Sequence, residues 1–400
     1  MTIALPAGRP ERVRTRRRRN LAATLALVPT ALIVLVVFVG CLLWTIRLSF
    51  TSSRLLPVLD WVGLQQYSRL FANERFLLSV ENIAVFGVLF IAGCLILGFL
   101  LAVFIDQNVR GEAVFRTVFL YPYAMSFVVT GLAWQWFLNP TLGLQQIVRD
   151  LGFSSFRFDW LVNPQMVIYT LVIAGLWHGA GLVMCIMLAG LRGIDADLWK
   201  AARIDGIPVW RTYLSVVLPL LGPMIITAVV LLATGVVKLY DLVVAMTLGG
   251  PGIASEVPAK FVMDHFFERN NIGLAHRRRQ RSRPLGLCPL HPPATREARM
   301  SQTVIPSGRK PQRLTLARAG VYAFLVISAL YFLLPLWIML MTSLKDMEEI
   351  RLGSILAWPK ALTFEPWLRA WSSACTGLDC SGISTGFWNS LKILVPSVFF

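Results

Sequence analysis

A chain of 400 residues that is 56% hydrophobic and 15% charged, with a mean hydropathy of +0.65, is too apolar for a soluble protein of that length. Its formal net charge of +17 is gathered partly in short basic blocks, Arg16 to Arg19 and Arg277, Arg278, Arg279, Arg281 and Arg283. Such blocks set the orientation of membrane chains, so no nucleic-acid partner is read from them. The six cysteines include no C-x-x-C pair, and Cys41, Cys94 and Cys185 lie inside apolar runs, so neither metal nor redox chemistry is signalled.

A membrane-crossing helix needs about 20 apolar residues. Five segments ahead of residue 250 supply them: 21–46, 82–105, 114–138, 166–190 and 224–248. The first is too long for the core of a signal peptide and lacks a small-residue cleavage site, so it is read as a retained span. Arg16 to Arg19 abut it and keep residues 1–20 in the cytoplasm. Alternation then puts 47–81 and 139–165 outside, where Trp61, Tyr67, Phe153 and Trp160 suit a membrane interface. The 106–113 turn and the 191–223 loop fall inside, the loop carrying Arg192, Lys200, Arg203 and Arg211. The expected fold class is all-α, a polytopic transmembrane helix bundle embedded in a lipid bilayer.

Within that loop, LWKAARIDGIPVWRTYLSVVLPLLGP (198–223) is polar and basic between two apolar runs. Ala201 and Ala202 give a short helix a small-residue face, and Gly206 lets the chain turn without steric cost. Asp205, just ahead of the turn, is expected to cap the start of the next helical segment. Ala201-Ala202-Arg203-Ile204-Asp205-Gly206, followed by Leu218-Pro219, resembles the signature loop of type I ABC importer permeases, written E-A-A-x-x-D-G-A with a later Leu-Pro. In that family the loop docks an ATPase subunit. The resemblance implies an ATPase-coupling loop of Lys200, Ala201, Ala202, Arg203, Asp205, Gly206 and Pro219, in the fold of a type I importer transmembrane domain. Lys200 departs from the motif, which has Glu there, and this charge reversal alters any pairing with the ATPase at that position. The Asp-Gly core and Pro219 match.

Three further stretches are similar to carbohydrate importers of the maltose and glucoside group: Phe115-Arg116 leading to Pro122, Trp134 to Pro140, and Thr247 to Pro251 followed by Pro258-Ala259-Lys260. This resemblance implies a sugar path near mid-membrane on the fourth to sixth helices. Trp177, His178, Lys238, Tyr240 and Asp241 offer stacking faces and hydrogen-bonding groups there, and an ionisable residue inside a span points to function. Each has a second reading as a packing or interface residue, and Lys238 and Asp241, three apart, can simply pair with each other.

No catalytic constellation is present. His178, His265, His276 and His291 are scattered, with no G-x-x-x-x-G-K-[ST] loop and no H-E-x-x-H site. The chain is expected not to be an enzyme and to bind no metal or cofactor, ATP being used by a partner subunit. The implied partners are a second homologous permease subunit, an ABC ATPase dimer and a periplasmic or extracellular sugar-binding protein, assembled in a bacterial inner membrane. A membrane enzyme acting on lipid-linked sugar would need paired carboxylates or a metal site, and neither is evident.

Beyond the fifth span the pattern changes. Ala254 to Arg269 should lead outside the cell into a sixth span, yet residues 276–299 are an Arg/Pro-rich run with no periodicity, the composition of a disordered linker. From Met300 a basic lead, a span near 320–342, an external segment and Asn389 at the entry to another apolar run repeat the order of the N-terminal portion, where Asn82 stands at the matching place. The expected organisation is a basic N-terminus (1–20), a permease domain lacking its last span (21–275), a linker (276–299) and the N-terminal fragment of a second permease (300–400). A reading-frame shift near Ala275 accounts for the missing span and the linker together. A natural linker between fused permeases is the alternative, and an inactive, truncated permease relic is the rival to a working transporter. Cys375 and Cys380 fall in the external loop of the second fragment. There they form either a disulfide across the turn Thr376 to Asp379 or two free thiols.

Overall fold

The computed structural model describes residues 27–29, 31–52, 59–107, 109–268, 316–352, 356–375, 380 and 382–399. The basic N-terminus 1–20, the linker 276–299 and the turn Thr376 to Asp379 lie outside the described residues. The helices in chain order are α1 (Leu27–Leu48), α2 (Gln65–Phe71), α3 (Glu74–Ile105), α4 (Glu112–Ala124), α5 (Phe127–Phe137), α6 (Leu144–Asp150) and α7 (Val167–Arg192). There follow α8 (Ala196–Ile204), α9 (Val209–Leu220), α10 (Gly222–Val237), α11 (Asp241–Thr247), α12 (Pro258–Met263), α13 (Leu316–Ser343), α14 (Met347–Leu352), α15 (Glu365–Ser372) and α16 (Ser384–Phe399). Among the described residues β-pairing is confined to a single bridge, Thr51 to Trp61. The expected all-α fold is what forms.

Four of the described helices are long and apolar enough to cross a membrane: α1, α3, α7 and the stretch Arg318–Ser343 of α13. Two expected spans are not straight rods. The 114–138 span is α4 and α5, which meet at 102°. Pro122 lacks an amide to donate near the end of α4, Met125 turns extended, and the Ser126 hydroxyl accepts from the Val129 amide at 3.2 Å to start α5 afresh. The 224–248 span stops at Val237, where 238–240 form turns, and resumes as α11. Ahead of it, α9 meets α10 at 70°, just past Pro219. The α4–α5 and α9–α10 pairs each count as one span only if taken as a broken helix, which raises the total among the described residues to six.

The described residues fall into two units, 27–76 with 261–268 and 77–260 with 316–399. In the first, Phe50 stacks on Trp61 at 5.2 Å, Tyr67 and Ser49 share a hydroxyl hydrogen bond of 3.0 Å, and Leu70, Phe76 and Phe261 form a small buried cluster. Arg75 pairs with Asp264 beside it. The apolar window of α1 is not buried by any of the described residues.

The second unit is built around α7, which carries buried residues along most of its length. Glycines let neighbours close on it: Gly175 and Gly179 accept the rings of Phe86 and Phe90 from α3, and Gly181 lies directly against the Phe119 backbone of α4. On the other side of the core, Gly131 of α5 lies against Ala245 of α11. The span 316–343, expected to open a separate permease fragment, is seated in this same core. Phe332 packs on Phe119 at 5.2 Å, Tyr331 on Trp134 at 5.9 Å and Phe324 on Phe104 at 4.4 Å, while the Arg110 amide donates to the Tyr322 hydroxyl at 2.8 Å.

Candidate coupling loop and mid-span polar residues

The 198–223 stretch begins as a well-terminated short helix. Asp195 accepts from the Asp197 amide at 3.0 Å and starts α8, on which Lys200, Ala201, Ala202 and Arg203 sit. Lys200 pairs with Asp197 at 2.7 Å, and the Arg203 Nε donates to the Trp199 carbonyl at 3.3 Å. Ala202 is buried, whereas Ala201 is exposed. The helix ends in a paired C-terminal motif: Gly206 donates to the Arg203 carbonyl at 3.2 Å and Ile207 to the Ala202 carbonyl at 3.0 Å. Gly206 adopts φ +69°, a left-handed conformation that a side chain would strain.

Asp205 therefore closes the preceding helix as its C-cap instead of capping the following one. That following helix, α9, starts at Pro208 without a side-chain cap. The reason is geometric: the left-handed Gly206 follows Asp205 at once and directs the chain away before α9 begins. Pro219 lies exposed near the end of α9, at the bend into α10.

Composition alone did not single out the loop's apolar surface. Ile204 is 85% exposed, Val209 64% and Trp210 67%, flanking Gly206 on both sides. Ile204 at the end of α8 and Val209 and Trp210 at the start of α9 thus leave large apolar side chains exposed on both sides of the turn. Their signal in the sequence was the placement of Ile, Val and Trp within a basic loop.

The mid-span residues do not form one cluster. Trp177 is fully buried, and its indole Nε1 donates to the Phe332 carbonyl at 3.0 Å. His178, next to it, is buried against Phe127 at 4.1 Å between ring centres, with the Thr130 hydroxyl 3.4 Å from Nδ1. Lys238 and Asp241 are exposed and Tyr240 is partly buried. Lys238 and Asp241 do not pair with each other among the described residues, because the helix that would align them three apart breaks between them. At the far end of the chain, Cys375 and Cys380 are joined by a disulfide.

The family model described as "Binding-protein-dependent transport system inner membrane component" matches residues 94–260, from mid-α3 through the 198–223 loop to α12. A probable ABC transporter permease protein of Pyrococcus horikoshii is 35% identical over 260 residues, 64% of this chain and 89% of the relative. This chain belongs to that family of importer permeases. The trehalose/maltose transport system permease protein MalF of Thermococcus litoralis is 30% identical to this permease over 58% of the chain and 78% of the relative. Among solved structures, a bacterial ABC transporter involved in alginate import superposes with a TM-score of 0.56 at 19% identity, covering 68% of this permease and 92% of that chain. That likeness establishes a shared fold. The chain is a multi-pass membrane component of that family, and the family match includes the 198–223 loop.

Proposed function

We propose that this permease is a translocating subunit of a binding-protein-dependent sugar importer, driven by a separate ABC ATPase dimer that docks on the loop 200–210. The observation that carries the docking site is the exposure of Ile204, Val209 and Trp210 on either side of the turn closed by the Gly206 motif. Lys200, Ala201, Arg203 and Asp205 frame it, and Pro219 sits at the bend that hands movement to α10. Sugar as the cargo is supported by the trehalose/maltose relative and the alginate importer. His178 with Thr130, and Tyr240, Lys238 and Asp241 at the α10–α11 break, are the groups we assign to the path, with Trp177 as its packing support. A second homologous permease, an external binding protein and a bacterial inner membrane complete the assembly, and ATP is consumed on the partner.

We further read the chain as a permease joined to the start of a second one through a frame shift near Ala275. In support, the family match ends at residue 260 while the basic-lead and span order recurs after Met300. An apolar span encoded in another frame past codon 275 is the outcome this requires; its absence favours a natural fusion. For the docking site, the ATPase subunit is co-purified with the full chain carrying Ile204→Asp or Trp210→Ala. We expect capture to fall at least tenfold for each while membrane insertion is unchanged. Parental capture by both variants would refute docking on this surface.

A further inference from the structure

The two legs of the coupling loop hold the same distant turn, the one between α3 and α4. On the incoming leg, α7 runs out at Arg192, three residues ahead of the Asp195 cap of α8. Its guanidinium reaches two acids on the neighbouring turn. Nε lies 3.5 Å from Asp106, just past α3, and Nη2 lies 2.8 Å from Glu112, the first residue of α4. On the outgoing leg, Tyr213 of α9 is met edge-on by Trp199 of α8, with ring centres 5.2 Å apart. The same Tyr213 ring meets Phe99 of α3 at 6.4 Å, and its hydroxyl accepts from the Gln107 side chain at 3.5 Å.

We infer that Arg192, Trp199 and Tyr213 are positioning residues that clamp the coupling loop to residues 106–112, so that displacement of α8 is delivered to α3 and α4 as well as to α7. This rests on the reading of 200–210 as the ATPase-docking loop. The partly exposed ion pairs contribute little to stability, so the role of the Arg192 cluster is directional. One planar guanidinium forks to two carboxylates at the opposite ends of the turn between α3 and α4, a geometry a lysine cannot reproduce. The aromatic link works the same way: Tyr213 is the one ring of the outgoing leg that touches both α8 and α3 among the described residues. Without the clamp the loop would hinge about its glycine and move alone.

Two measurements test this on the full chain in nanodiscs. Without ATPase, Trp199→Ala should raise hydrogen exchange several-fold across residues 106–112, which Trp199 does not touch, and Trp199→Phe should restore protection. Unchanged exchange there would overturn the clamp. With the ATPase subunit assembled, Arg192→Gln and Trp199→Ala should capture it as the parent does and hydrolyse ATP, but lose at least tenfold of the substrate-stimulated rate. Arg192→Lys should recover little of that loss, and Tyr213→Ala, which removes both the ring shared by α8 and α3 and the hydroxyl that accepts from Gln107, should lose as much as Trp199→Ala. Full stimulation in Arg192→Gln and Trp199→Ala, or loss of capture in both, would overturn the proposal. If the parent chain itself captures no ATPase, the docking reading fails, and the exchange measurement still decides whether the clamp exists.

Discussion

Replacing Gly181 with alanine should separate the two helices that make the centre of the permease. A Cβ at Gly181 would lie 1.9 Å from the Phe119 carbonyl oxygen, 2.7 Å from its carbonyl carbon and 3.1 Å from the Leu120 Cα. A carbon and a carbonyl oxygen in contact settle at about 3.3–3.6 Å, so α4 and α7 must part locally by roughly 1.5 Å. These are backbone atoms, and no side-chain rotation can relieve the clash. Opening a packed surface by about 0.5–1 Å already forfeits a quarter to a half of each contact's attraction, and overpacking typically costs about 1–3 kcal/mol. Phe119 moves with its backbone, which also disturbs its contact with Phe332. Gly235 is the control: it lies inside α10 with nothing within 4 Å of the corresponding Cβ position, so alanine there should gain roughly 0.5–1 kcal/mol from helix propensity. Gly181 is itself inside α7, so both variants make the same propensity gain and should differ by the overpacking cost alone, roughly 1–3 kcal/mol in unfolding of the detergent-solubilised chain. Equal stability of Gly181→Ala and Gly235→Ala would refute the close approach of α7 to α4.

Trp177→Phe keeps most of the ring volume but removes the donor to the Phe332 carbonyl, and should cost about 0.5–1.5 kcal/mol in the same unfolding assay; no loss would remove the indole from the list of groups holding α13. A cysteine at Arg203 should react with a membrane-impermeant reagent only after cells are opened, and labelling of intact cells would invert the assigned sidedness. Asp106 supplies a pH test. Burial lifts its carboxyl above the usual carboxylate range, with Arg192 pulling the other way. An acid raised on folding contributes stability below its unfolded value, about 3.9, and that contribution is lost as pH rises through the folded value. The stability of the parent relative to Asp106→Asn should accordingly fall as pH is raised above about 4, and a rise over that interval would contradict the burial of the group.

Hydropathy made the long helices legible because a bilayer-length run of apolar residues has few other uses. Segments 82–105 and 166–190 appear as the cores of α3 and α7. It could not show where a span breaks. The α10–α11 interruption at Lys238 to Tyr240 contains neither proline nor glycine, and the α4–α5 bend comes three residues after Pro122, where the Ser126 cap decides the restart. The first thus has no helix breaker to mark it, and the second rests on a proline and a serine cap that a mean hydropathy does not register. The Gly131–Ala245 contact that joins α5 to α11 is made by two small residues that a hydropathy window averages away.

The loop shows the same division more sharply. Its Asp-Gly pair is legible, because few residues other than glycine accept φ +69°, yet Asp205, expected to cap the helix ahead, closes the helix behind it. Whether an acid before a turn caps the helix behind it or the helix ahead depends on which side of the reversal it stands. Here the reversal comes immediately after it. Arg192 and Tyr213, which tie the loop to the bundle, have no motif to announce them, since their partners Asp106, Glu112 and Phe99 lie about 80 to 114 positions earlier in the chain, and Trp199 joins them only through Tyr213. A motif records what the loop offers to a partner on its outer face. Under the proposed docking, the path from that face to the spans is set by contacts distant in sequence, the fork of Arg192 to Asp106 and Glu112 and the contacts of Tyr213 with Gln107 and Phe99.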